Sequence, residues 1–110
     1  MAKLNNYRQW IQQILIERAK KAADDTMDAQ TLFDTEHDHY QLMYVGWDDQ
    51  RRIYGPVLHF DIKDGKIWIQ WNGTEDDVAA ELVALGVSAQ DIVLGFHTPF
   101  MRQFSDYAVN

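Results

Sequence analysis

The first twenty-two residues carry apolar side chains at helical spacing. Leu4, Tyr7, Ile11, Ile14, Leu15 and Ala22 recur at three- and four-residue steps and fall on one stripe. Trp10 lies at the stripe's margin and Ile16 nearly opposite it, and Ala22-Ala23-Asp24-Asp25 ends the helix in a polar connection. From Gln30 to Trp71 the chain turns to aromatic and β-branched residues broken by short polar clusters, the pattern of strands. Four strands are predicted, about Gln30–Glu36, His39–Trp47, Ile53–Lys63 and Lys66–Trp71.

Asp64-Gly65 between the last two strands suits a type I′ hairpin turn, which needs positive φ at both central residues. Lys63 then faces Lys66, and Ile62–Ile67, Phe60–Ile69 and Leu58–Trp71 form an apolar face. The other face pairs Asp61 with Trp68 and His59 with Gln70. A slip of one residue destroys that separation. Glu36-His37-Asp38-His39 predicts a second tight hairpin, with Phe33 against Leu42 and Leu32 against Met43. Asp48-Asp49-Gln50-Arg51 reads as a longer loop. The second strand is apolar on both sides, so it is either central and covered twice or has one face turned to a partner. Pro56 cannot donate to a ladder and marks an edge or a bulge.

Two start signals follow the sheet. Thr74 caps a helix running to Leu85, with Asp77 at the reciprocal position and Gly86 as the stop. Ser88 with Asp91 opens a shorter helix through Ile92, Val93 and Leu94 towards Gly95. Thr98-Pro99 then suits the cap and first position of a final turn carrying Phe100, Met101 and Phe104. The expected fold is α+β: an amino-terminal helix, a four-stranded, mainly antiparallel sheet and two to three short carboxy-terminal helices, in a single domain over residues 1–110.

Composition narrows the partners. Hydrophobic residues at 46% and charged ones at 25% describe a globular chain, and no apolar run is long enough to span a bilayer. The absence of cysteine excludes disulfides, thiolate metal sites and a thiol nucleophile, and a cytoplasmic protein fits best. The net charge of −7 is uneven: residues 1–22 set five cations against Glu17 alone, which leaves −11 on the remainder. Such a body is repelled by a phosphate backbone, so direct DNA binding is disfavoured. Arg18, Lys20 and Lys21 complement the dipole at the helix's carboxyl end.

Several ordered blocks together resemble the XisI family, the fdxN-element excision controlling factors of filamentous cyanobacteria. They are Asp38-His39-Tyr40-Gln41-Leu42, Val45-Gly46-Trp47, Arg51-Arg52-Ile53-Tyr54-Gly55 and the run Asp61 to Gln70. Gly73-Thr74-Glu75, the run Glu81 to Val87 and the run Asp91 to His97 continue the pattern over nearly the whole chain. Thr98 stands where the family often has a second proline, which still leaves a helix cap. The resemblance implies an accessory factor in programmed excision of a DNA element during heterocyst development, beside a separate XisH-like protein and a recombinase. It brings no catalytic residues to carry over.

The residues themselves offer weak chemistry. Asp61-Ile62-Lys63 is the acid-x-lysine of metal-dependent nucleases, but the usual upstream Pro-Asp is missing, and a solvated hairpin end looks the same. His59, Asp61, Lys63 and Gln70 form the candidate polar cluster. His37 and His39 flank Asp38 and would aim alike on a strand, but a turn makes them diverge. Ser88 is spent as a cap, which disfavours a hydrolase triad. Arg51 and Arg52 are candidate nucleic-acid contacts, with Asp48 and Asp49 beside them as counterions. No residue is assigned to catalysis, a cofactor or a metal.

Four Trp, five Tyr and five Phe exceed what one small core hides, and Trp and Tyr favour interfaces. Trp10, Trp47, Tyr54 and Trp68 are therefore the candidate partner surface. The expectation is a non-enzymatic contact module with a XisH-like partner, against a metal-dependent nuclease or a nucleic-acid-binding module. The apolar margins of the first helix and second strand suit a homodimer.

Overall fold

In the computed structural model, which describes residues 2–110, α1 (Ala2–Ala22) buries Tyr7, Ile11, Ile14 and Leu15 and leaves Ile16 39% exposed, as its apolar stripe dictates. A polar turn follows, in which Asp24 Oδ1 accepts from the Thr26 hydroxyl and the amides of Thr26 and Met27. Then come β1 (Met27–Asp34), β2 (His39–Asp48), β3 (Arg51–Lys63) and β4 (Lys66–Asn72). Next are α2 (Val78–Leu85), a single 3-10 turn (Ala89–Asp91), β5 (Ile92–Leu94) and α3 (Pro99–Arg102). The sheet runs β1-β2-β3-β4-β5, antiparallel except for β5 beside β4. Among the described residues no helix is long and apolar enough to cross a membrane.

The fifth strand corrects the sequence expectation. Ile92-Val93-Leu94 does not continue a helix from Ser88. The Ser88 cap opens only the 3-10 turn, and the apolar triplet pairs with Ile67–Ile69 on the edge of β4. A backbone edge with unpaired N–H and C=O groups outcompetes three more residues of helix. The second correction is the start of α2. Thr74 gives its hydroxyl to Asn72 Oδ1, so the cap passes to Asp77, which accepts from the Ala80 amide. Gly86 stops the helix at φ 121°, as read.

Turn chemistry fixes the registers. Asp64 and Gly65 both take positive φ, 53° and 76°, and hold Lys63 opposite Lys66 and Ile62 opposite Ile67. In the first hairpin the loop is Thr35 to Asp38, so Phe33 faces Tyr40 and Leu32 faces Gln41 rather than Leu42 and Met43. That error of two residues keeps the faces. Asp48 pairs directly with Arg51, so the loop expected there is a two-residue turn with Asp49 at φ 58°.

Two bulges shape the sheet. Beside Pro56, Val57 is an extra residue between the Leu42–Leu58 and Met43–Pro56 pairs. In β4, Gln70 is extra, so Trp71 lies opposite His59 and not Leu58 as the unbroken register required. One face of the sheet packs Tyr40, Leu42, Leu58, Phe60, Ile67 and Ile69 against α1 and α2, and all six are essentially inaccessible.

Three polar clamps tie α1 down. Arg8 Nε and Nη2 reach both carboxylate oxygens of Asp38, at 2.8 and 3.0 Å, and the buried Tyr40 hydroxyl donates to the same carboxylate at 2.8 Å. Lys3 and the Tyr7 hydroxyl meet on Asp91 Oδ2, at 2.7 and 2.6 Å. Burial, with Asp91 as acceptor, pushes the Tyr7 phenol up to about 12. Arg18 pairs with Glu81 and Asp76 at α2, which is a direct ionic role rather than dipole complementation alone.

Candidate functional site

The face of the sheet turned away from α1 is where the chemistry collects. Strand alternation sends His39 of β2 and His59 and Asp61 of β3 to this side, and the ladder sets His39 directly opposite Asp61. His39 Nδ1 and His59 Nε2 lie 2.8 and 2.7 Å from one oxygen, Asp61 Oδ1. A carboxylate can only accept, so each ring nitrogen presents an N–H to it. The Gln70 amide, carried inwards by the β4 bulge, donates to Asp61 Oδ2 at 3.1 Å.

Burial works to raise the Asp61 carboxyl, and the hydrogen bonds from His39 and His59 outweigh it, so the group stays ionised below its ordinary range. The same bond to Asp61 and the carboxylate's charge raise His39 above its ordinary value. A shallow depression lined by Thr31, Leu32, Asp34, His39 and Gln41 adjoins the cluster.

Of the predicted polar cluster, His59, Asp61 and Gln70 meet, and Lys63 does not join them. Its ammonium sits 4.7 Å from the centre of the Trp68 ring, and the Arg102 guanidinium lies 5.1 Å from the same ring. Asp61 and Lys63, the pair expected of a metal-dependent nuclease, therefore face different partners. The residue pattern relates His39 to His37 alone; the structure separates those two, with His37 on Asp34 at the turn and His39 on Asp61. The signal that joins His39 to His59 is the β2–β3 register, which the residue pattern alone did not supply.

At the other end of the same face, Trp47 pairs across the ladder with Arg52, and Tyr54 follows two residues on. The Arg52 guanidinium lies 5.2 Å from the Trp47 ring centre and 5.9 Å from that of Tyr54. Tyr54 is 70% exposed and Trp47 51%, and Trp71, 52% exposed, lies back towards the polar cluster opposite His59, so the face carries aromatic surface with no helix over it. Arg51 makes only a loose 3.7 Å pair with Asp48. Of the four aromatic candidates, Trp47 and Tyr54 come together and Trp68 is half-buried beneath its two cations. Trp10 packs on the helical side, where its ring would meet a Cβ at Gly86. The sequence reading missed Trp71, which the Gln70 bulge turns outwards. It also missed Phe100 of α3 and Phe104 in the turn after it, 66% and 68% exposed, whose rings meet edge to face.

Comparison with known proteins accords with this fold. A family model described as XisI protein matches residues 1–109. The crystal structure of a XisI-like protein from Anabaena variabilis ATCC 29413 is similar, with 46% identity and a TM-score of 0.91, over 97% of this chain and 99% of that one. The crystal structure of the fdxN element excision controlling factor XisI from the same organism is also similar, with 32% identity and a TM-score of 0.84, over 98% of this chain and 99% of that one. No curated protein sequence matches the chain.

Proposed function

Because the chain belongs to the XisI family, we propose that it is a non-enzymatic accessory factor in programmed excision of a DNA element, acting by contact with a XisH-like protein. The observation that carries the reading is the uncovered sheet face, where Trp47 and Tyr54, each half or more exposed, flank Arg52, and Trp71, also half exposed, lies further along beside His59. Trp, Tyr and Arg are the residue types that dominate binding energy at protein interfaces. Arg52 is already held between two rings, so less side-chain freedom is lost when a partner docks. A net charge of −7 favours a protein partner over a phosphate backbone. A relative that is 32% identical bears the name of an excision controlling factor. The reading assigns the protein to the cytoplasm, in keeping with a chain that has no cysteine.

Co-expression with a tagged XisH-like protein from the same genome tests it. The wild-type chain is expected to co-purify, and Trp47→Ala with Tyr54→Ala to weaken binding by at least about tenfold while circular dichroism stays unchanged. Failure of the wild-type chain to co-purify sinks the partner. Wild-type affinity in the double variant sinks the surface. Binding to a duplex that exceeds binding to the XisH-like protein, and that is lost in Arg51→Ala with Arg52→Ala, replaces the reading with a nucleic-acid-binding module.

A further inference from the structure

We propose that His39, His59 and Asp61 form a binding site for one divalent transition-metal ion of the zinc, cobalt or nickel class on the open face of the sheet. The inference goes beyond the partner reading and does not depend on it.

The three donor atoms, His39 Nδ1, His59 Nε2 and Asp61 Oδ1, all lie within 4.8 Å of one another. Regular β geometry puts them there: His59 and Asp61 are two apart on one strand, and His39 is the cross-strand neighbour of Asp61. Two imidazoles with one carboxylate suit borderline ions such as zinc, cobalt or nickel. Magnesium and calcium prefer all-oxygen shells and are disfavoured.

The geometry needs little change. Donors held about 2.0–2.1 Å from a tetrahedral ion stand roughly 3.3 Å apart, against the 2.8 and 2.7 Å hydrogen bonds from the rings to Asp61. Opening each gap by about 0.5 Å admits the ion, which then takes the place of the two N–H protons directed at Asp61 Oδ1. The His39 side chain is 56% exposed and has room to make that shift.

The surroundings hold the ligands in place. Gln70 donates to Asp61 Oδ2 and leaves Oδ1 free to ligate, the kind of outer hydrogen bond that orients a ligating carboxylate. Lys63, the nearest lysine along β3, is drawn off to the Trp68 ring and adds no ammonium to the cluster. With three protein ligands on an exposed face, the remaining coordination positions open to solvent. The His37–Asp34 pair supplies only two ligands on a turn and is the natural control.

The test uses the full chain freed of metal by chelation and then titrated with Zn²⁺ or Co²⁺ alone. One ion per chain is expected, with visible Co²⁺ absorption that Zn²⁺ removes. His39→Asn and His59→Asn should each lower affinity by at least about tenfold, and His37→Asn should leave it unchanged. A second measurement needs no variant: Zn²⁺ should shift the imidazole nitrogen resonances of His39 and His59 and leave those of His37 and His97 in place. No saturable binding, affinity that survives His39→Asn, or shifts at His37 or His97 would each overturn the site. The titration contains no partner, so its failure leaves the XisH-like contact standing, and failed co-purification leaves the metal site standing.

Discussion

Replacing Asp38 tests how the fold holds the site, because this residue closes the turn immediately before His39. Its backbone sits at φ 59°, and its carboxylate is the acceptor for a Tyr40 hydroxyl on a side chain with 0% exposure. Its carbonyl also accepts from the Ile62 amide at 3.0 Å, which ties the turn to β3. In Asp38→Ala the Tyr40 hydroxyl loses its acceptor, at about 1–3 kcal/mol. Alanine in the left-handed region adds about 1 kcal/mol. The combined loss of about 2–4 kcal/mol corresponds to a Tm lower by roughly 8–16 °C in a domain of this size. Asp38→Asn keeps both an acceptor and a side chain suited to positive φ, so it should recover most of that loss although Arg8 is left without an anion. Tyr40→Phe removes the donor instead and should cost about 1 kcal/mol, since Asp38 keeps Arg8. Thermal unfolding followed by circular dichroism at neutral pH reads all three. An alanine variant within about 1 °C of wild type, or an asparagine variant as unstable as alanine, refutes the account.

The clamp at Asp91 should be pH-dependent. Burial raises this carboxyl, but Lys3 and Tyr7 hold it below its ordinary value of 3.8, so its stabilisation is present above that value and disappears as pH falls through the folded one. The stability gap between wild type and Asp91→Asn should therefore be full at neutral pH and close in acid; urea titrations giving a constant gap down to about pH 2.5 contradict it. Gly46→Ala should cost about 1–3 kcal/mol or more, because a Cβ there falls 2.3 Å from the Thr26 carbonyl oxygen and 2.7 Å from Met27 Cα. Gly55→Ala, with nothing within 4 Å, is its control, and equal unfolding midpoints for the two variants refute the packing argument.

Much of the fold was legible in the residues because local rules and tertiary packing agree there. The helical stripe of α1, the Asp64-Gly65 turn and the Thr98 cap, which accepts from the Met101 amide, each stand where pattern put them. Failures came where two signals compete. Thr74 and Asp77 are both competent caps, and Asn72 decides between them by taking the Thr74 hydroxyl. Ile92-Val93-Leu94 is too short for its periodicity to separate strand from helix, and only the open edge of β4 settles it. The polar cluster was half legible: His59 and Asp61 share a face by alternation along one strand, whereas the expected His59–Gln70 pair is replaced by His59–Trp71, and Gln70 reaches Asp61 from the bulge. His39 needs the pairing of β2 with β3, two strands whose connecting polar run reads as a loop in the sequence and is a two-residue turn in the structure.

The aromatic face was illegible for a different reason, which is parity. Counting by twos from the core residues Leu58 and Phe60 sends Tyr54 and Arg52 into the core, and counting from Ile67 and Ile69 does the same to Trp71. One extra residue in each strand, Val57 and Gln70, reverses the count and turns all three side chains outwards. Pro56 explains the first bulge: it cannot donate to the ladder, and β4 ends opposite Leu58, before Pro56 is reached. The Gln70 bulge acts twice, since it exposes Trp71 and also lets the Gln70 amide reach Asp61. The bulges border the His39–His59–Asp61 cluster, with the exposed Trp71 beside His59 and Trp47 and Tyr54 further along the face. Two single-residue bulges thus convert what alternation would have made core into a surface that joins aromatic contacts to a polar centre.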